Sequence, residues 1–174
     1  MKQESTNKVY EVIGKTLVKL QILETQIKLF ISFLKPEIKL KYKIGNLEHK
    51  RILDNSDDSR KTLGALMYIL KNELTFFKNE DFEKLLKMRN IFVHSFQSEY
   101  LNNGKIDSSE TNNFILTLNK LAENFVKVFI GLNTLSVKLR AQKKFTKNDY
   151  SKIEFYDLEK DEEYFLEFLI QHIR

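Results

Sequence analysis

Arg89, Asn90 and His94 bring a guanidinium, a carboxamide and an imidazole into one hexapeptide, Arg89-Asn90-Ile91-Phe92-Val93-His94. An imidazole with an unperturbed pKa of about 6.5 is largely neutral near pH 7 and can take a proton from a hydroxyl. A guanidinium can hold a phosphate bidentately and stabilise charge that builds on it in a transition state. The carboxamide can orient the phosphate or the histidine. These are the side chains that metal-free cleavage of a phosphodiester needs.

The elements around the hexapeptide constrain how it works. On an ideal wheel at about 100° per residue, Phe82, Leu85, Leu86, Phe92, Val93 and Phe96 form one apolar stripe, and Arg89 falls at its centre. Burying an unpaired charge costs several kcal/mol, roughly, so an arginine there requires a carboxylate, a phosphate or a wet cleft. Asn90 and His94 are an i, i+4 pair flanking the stripe. Arg89 and His94, five residues apart, point about 140° from one another on a regular helix. Either the helix loosens near His94, or the motifs of two chains line one cleft.

The pattern R-N-x-x-x-H behind the apolar run Phe82, Leu85, Leu86 and Met88 resembles the HEPN superfamily, all-helical domains whose signature is Arg, a polar residue, a few variable residues and His. The segment Thr62-Leu63-Gly64-Ala65-Leu66 is compatible with the same family. The resemblance implies a HEPN-like up-and-down bundle of about five helices and a metal-independent endoribonuclease without cofactor. In it His94 deprotonates a ribose 2′-hydroxyl, which attacks the adjacent phosphate held by Arg89, leaving a 2′,3′-cyclic phosphate and a 5′-hydroxyl. Asn90 orients the reacting groups. It also implies a homodimer with a composite site, a role as bacterial toxin or phage-defence effector, and restraint by a cognate antitoxin or a sensor protein. The alternative is a non-catalytic HEPN-like dimeric module that binds a nucleotide, RNA or protein partner. Met88 and Ile91, among charged neighbours on the wheel, are the expected interface residues.

Glu24 lies mid-stripe on the first helix as Arg89 does on its own. It is expected either as an acid of the site or as the buried partner of Arg89; both readings stand. Two basic segments could follow an RNA backbone, because Lys and Arg contact phosphates without reading sequence. They are Lys35, Lys39, Lys41, Lys43, Lys50 and Arg51 around Tyr42, and Lys138, Arg140, Lys143, Lys144 and Lys147. A solvated surface explains either one alone. No metal site is expected, since His49, His94 and His172 are far apart and no H-x-x-x-H or paired Asp motif occurs.

The 174 residues, 42% of them hydrophobic, are read as one domain over 1–174 with a core of its own. With no cysteine there is neither disulfide nor thiol chemistry, and a reducing compartment fits. Neither a leader nor a membrane span is readable, so a cytoplasmic protein is expected. A formal charge of +5 favours polyanionic partners.

One proline and five glycines leave little punctuation, and apolar spacings of three and four predict helices. The first is expected over about 6–34, with Tyr10, Ile13, Leu17, Leu20, Ile27, Ile31 and Leu34 inward and Pro36 as its stop. A second starts near Asp58 and carries Leu63, Leu66, Met67, Leu70, Leu74 and Phe77. A third, about 80–96, bears the motif. A fourth, to about 142, opens at Asp107 with Glu110 as a capping pair, and a last spans about 158–173. Ile38, Leu40, Tyr42 and Ile44 alternate with lysines, which predicts a short strand over about 37–44, with 152–156 as its partner.

Overall fold

The computed structural model describes residues 2–44, 52, 62–101, 108–141 and 158–172. The chain forms α1 (Lys2–Ser32), α2 (Pro36–Lys41), α3 (Leu63–Glu73), a 3-10 turn (Thr75–Phe77), α4 (Glu80–His94), a π turn (Gln97–Leu101), α5 (Ser109–Ala141) and α6 (Leu158–His172). The fold is an all-α bundle, and no strand occurs among the described residues.

Side-chain pairs fix the helix directions. Lys71 bridges to Glu83 and Gly64 lies beside Asn90, so α3 and α4 are antiparallel. Phe82 packs on Phe125 and Phe96 on Phe114, which makes α4 and α5 antiparallel. Phe125 meets Phe168, and Lys138 reaches Glu162, so α6 runs back along α5. From α3 to α6 the helices therefore alternate in direction. α1 lies parallel to α5: Asn119 donates to Thr16 at 3.0 Å, and Asn133 donates to the Gln26 carbonyl at 3.0 Å.

The core is held by aromatic rings. Phe77 stacks on Phe129 at 5.0 Å and sits 4.8 Å from Phe82, and Phe129 meets Phe30 of α1. All four rings are buried. A second group, Phe92, Phe96, Tyr100 and Phe114, closes the end of the bundle where α4 stops. Thr111 donates to the Tyr100 carbonyl at 3.2 Å and ties the π turn to α5.

Three expectations about elements change. The period-two segment 37–44 is not a strand: Pro36 occupies the first turn of α2, where its fixed φ suits a helix. Lys39 and Lys41 fall in the last turn, where cations favour the dipole. The helix closes as a Schellman motif, with Lys43 N–H bonded to the Leu40 carbonyl, Ile44 N–H to the Lys39 carbonyl, and Lys43 left-handed at φ 50. Burial of Ile44 rewards that turn. The proposed partner strand, 152–156, lies outside the described residues.

The inward face of α1 keeps Leu20, Ile27 and Ile31 of the expected stripe but is turned by about 45° from it. Val9, Thr16, Leu20, Leu23, Ile27, Phe30 and Ile31 are buried, while Tyr10 and Leu17 face out. The deciding residue is polar. Thr16 is buried because its hydroxyl donates to the Val12 carbonyl at 2.8 Å and accepts from Asn119. The cap of α5, finally, is Ser108, whose hydroxyl accepts from Thr111 N–H at 3.1 Å; Asp107 lies outside the described residues.

Candidate functional site at the end of helix α4

α4 begins on a firm cap. The Asn79 side chain accepts from Phe82 N–H at 2.9 Å and donates to the Phe76 carbonyl at 2.8 Å. Glu80, Asp81 and Glu83 occupy the first turn, favourable to the positive end of the helix dipole. Phe82 and Leu85 are buried, whereas Leu86, Met88, Ile91 and Phe92 are only half-buried and Val93 is exposed. The apolar stripe is thus covered fully near the start of α4 and partly near its end.

That gradient decides the environment of Arg89. It is half-buried, and its Nη1 donates to Asn90 Oδ1 at 3.2 Å. Among the described residues no carboxylate pairs with it. Glu24 instead accepts from Lys28, one turn away on α1, at 3.1 Å, so the expected Arg89–Glu24 neutralisation does not form. Of the three environments open to a mid-stripe arginine, this one is wet: the guanidinium reaches water past the half-covered helix end.

Asn90 and His94 are exposed. α3 leaves room for Asn90 because residue 64 is glycine; a Cβ there would stand 3.8 Å from Asn90 Oδ1 and 3.7 Å from Leu86 Cδ1. The Thr62 hydroxyl caps the same turn, accepting from Ala65 N–H at 3.3 Å. The segment 62–66 therefore backs the motif.

α4 stays helical through His94, and Ser95 N–H still bonds the Ile91 carbonyl at 2.8 Å. The irregular π turn begins only afterwards. No loosening before His94 brings it toward Arg89, so within one chain the two remain about 140° apart. Met88 and Ile91, expected at an interface, pack partly against the chain's own core.

The sequence reading missed Lys87. It is exposed and precedes Asn90 by three residues and His94 by seven, the spacing that puts all three on one helix face. Of the two basic segments, Lys35 and Lys41 are exposed while Lys39 and Lys138 are half-buried, and three of these lysines are engaged within the chain. Lys39 Nζ donates to the Ser32 carbonyl at 2.6 Å, Lys41 pairs with Glu73 at 2.8 Å, and Lys138 bonds Glu162. Lys43 is exposed. Lys50, Arg51, Lys143, Lys144 and Lys147 lie outside the described residues, as does the side chain of Arg140.

A separate cleft of roughly 100 Å³ lies at the other end of α4, lined by Asp81, Asn124, Tyr164, Phe168, Gln171 and His172. The His172 ring stacks on Phe168 at 4.3 Å, and its Nδ1 lies 2.8 Å from the Phe168 carbonyl. Asp81 is about 12 Å from Arg89 along the helix axis, so this cleft does not share the motif.

Among the described residues no cluster of three or more His, Asp or Glu could hold a metal, and no helix is long and apolar enough to cross a membrane. Comparisons with family models, with curated proteins and with solved structures give no match for this chain.

Proposed function

We propose that this chain is a HEPN-type, metal-independent endoribonuclease that works as a homodimer, with Arg89, Asn90 and His94 as its catalytic residues. The observation that carries the reading is the R-N-x-x-x-H sequence on an exposed helix end, where the Arg89 guanidinium is held by Asn90 and, among the described residues, is neutralised by no carboxylate. His94 acts as general base on a ribose 2′-hydroxyl. The 2′-oxygen attacks the adjacent phosphorus, the bond to the 5′-oxygen of the next nucleotide breaks, and that oxygen leaves with a proton as a 5′-hydroxyl. Arg89 stabilises the charge on the non-bridging oxygens. Lys87, exposed on the same helix face as Asn90 and His94, is the cation available to a flanking phosphate.

The wide angle between Arg89 and His94 supports a site shared between two copies, each giving a different member of the pair. It equally favours the second reading, a HEPN-like dimeric module that binds a nucleotide, RNA or protein without turnover. As a nuclease of this kind the chain is a toxin or phage-defence effector, held in check by an antitoxin or a sensor. Total RNA incubated with the protein in EDTA separates the two readings. We expect cleavage to persist and the fragments to carry 2′,3′-cyclic phosphates and 5′-hydroxyls. Fragments with 5′-phosphates, or none beyond those made by His94→Ala, would leave the binding module.

A further inference from the structure

The seam between α3 and α4 has a closed edge and an open one. Gly64 faces Asn90 and Leu86, and Lys71 reaches Glu83, so Gly64 and Lys71 on one helix and Asn90 and Glu83 on the other mark its midline. On a wheel at about 100° per residue, Met67 and Tyr68 fall about 50° to either side of that line on α3, as Leu86 and Lys87 do on α4. Met67 is buried and Leu86 half-buried, on the edge that meets the core. Tyr68 and Lys87 are exposed on the other edge, and the antiparallel run of the two helices turns both to the same side. His94 lies on that open edge as well, about 30° from the midline.

Tyr68 is 60% exposed, and among the described residues its ring meets no other ring and its hydroxyl makes no hydrogen bond. Other tyrosines are engaged: Tyr42 donates to Glu73, Tyr100 stacks on Phe114, and Tyr164 lies under Lys127. Interpolation between the two cross-helix pairs puts Tyr68 level with Leu86 and Lys87. Along the seam it stands about 6 Å from the level of Asn90 and about 12 Å from that of His94. An aromatic face, an ammonium and an imidazole thus follow one another along one open edge. An unpaired nucleic-acid strand uses such parts, the ring for a base and the cation for the phosphate beside it.

We propose that Tyr68 is the base-stacking platform of this site, and that the substrate is therefore an unpaired segment of RNA. One base lies on the Tyr68 ring, Lys87 holds the adjacent phosphate, and the strand runs on for roughly one or two nucleotides to the bond at His94. A base inside a duplex gives its faces to its neighbours in the stack and cannot reach the ring. Every base has a face to offer, so Tyr68 selects strandedness rather than sequence. It is a positioning residue and touches no reacting atom. The inference rests on the reading of the α4 motif as an RNA site but not on turnover there.

The chain has no tryptophan, so Tyr68→Trp, placed in a His94→Ala chain to prevent cutting, reports the contact directly. Its emission should be quenched as oligoadenylate is added and stay unchanged when the same strand is paired with oligouridylate. In the cutting protein, Tyr68→Ala should raise KM for an unpaired oligonucleotide about 5- to 100-fold with kcat nearly unchanged, as the loss of one base–ring stack from ground and transition states alike requires. Tyr68→Phe should keep KM near that of the wild type, whereas Tyr68→Leu, apolar without a flat face, should not. An unchanged KM for Tyr68→Ala, or equal values for Leu and Phe, overturns the platform and leaves the nuclease standing. Quenching as strong with the duplex, or none with either strand, overturns it too. Quenching by the unpaired strand alone, where the wild type cuts no RNA, keeps the platform and retires the nuclease in favour of the binding module.

Discussion

Two polar clusters sit at helix ends, one where α2 meets α3 and one at the end of α4, and they treat charge in opposite ways. In the first, Glu73 accepts from Lys41 at 2.8 Å and from the Tyr42 hydroxyl at 2.6 Å, and the Lys41 ammonium also lies 4.9 Å from the Tyr42 ring. Each charge is answered within the chain. At the end of α4, Arg89 has only the neutral Asn90 among the described residues, and His94 is exposed. Groups that satisfy one another lock two helices together. Groups left to solvent on a capped, ring-packed helix contribute little to stability and stay available to a ligand. The basic segment around Tyr42 is thus partly a clamp, and the short motif remains the candidate site.

The largest expected effect breaks this contrast by substitution. His94→Ala should lower RNA cleavage by about 10²–10⁴-fold and Arg89→Ala by about 10²–10³-fold, the ranges for losing a general base and a transition-state donor. Neither should move Tm, because both side chains reach water at a half-covered helix end. Glu73→Ala should do the reverse, lowering Tm with cleavage unchanged. Thermal melts beside a gel assay of total RNA read both. A melt that drops with Arg89→Ala as it does with Glu73→Ala would make the α4 cluster structural.

The same contrast explains what the sequence reveals. Helix α4, its boundaries within two residues, and the bundle class follow from apolar spacing, because large buried side chains such as Phe82 and Leu85 dominate packing. The face of α1 follows only in part: Leu20, Ile27 and Ile31 are buried as expected, Tyr10 and Leu17 are not. Its apolar residues lie almost all round, and a threonine that bonds its own backbone and Asn119 settles the register. The strand over 37–44 fails because so short a segment cannot separate the two periods, and the turn ends on a left-handed lysine where glycine is the usual sign. In the site, spacing places Asn90, His94 and Lys87 on one face, but charge partners depend on distant elements. Glu24 is the exception, because Lys28 four residues on is a local i, i+4 partner that the sequence offers, and it takes the carboxylate in place of Arg89.

Mixing subunits sharpens the contrast next. If each composite site takes Arg89 from one copy and His94 from the other, combining Arg89→Ala with His94→Ala should restore up to one site in two of the mixed dimers. Equal mixtures would then recover about a quarter of wild-type activity, since roughly half the dimers are mixed. No recovery after subunit exchange, verified by mass, means each site needs both residues of both chains. Full activity from a single-chain species removes the shared site.

A smaller effect is expected at Gly64. A Cβ there meets its neighbours at 3.7–4.0 Å, ordinary contact, so Gly64→Ala should keep cleavage and raise Tm slightly by restricting the unfolded chain. Gly64→Leu must displace Asn90 or Leu86. It should cut activity by up to about 10²-fold through misplacement while the fold holds. Equal activity for Ala and Leu would show that Asn90 need not be positioned.

The smallest effect is a pH signature that belongs to the clamp alone. Lys41, and after it Tyr42, hydrogen-bond Glu73 and hold its carboxyl below the usual 4.5. Such a group stabilises the fold above its unfolded pKa and loses that contribution as pH falls through its lower folded value. Lys41 is raised above 10.5, first by its hydrogen bond to Glu73, and Tyr42 above 10.0 by the same carboxylate. Their contributions are present below those values and fade as pH climbs through the raised ones. The Tm difference between the wild type and Glu73→Gln should therefore be flat from about pH 5 to 9, shrink below about 4.5 and shrink again above about 10. The exposure of the Lys41 ammonium keeps the difference small and lets salt reduce it further. Melts of the two proteins across that range decide the point: a difference that changes near neutral pH would mean that another titrating group couples to the clamp, and the separation of the two clusters would not hold.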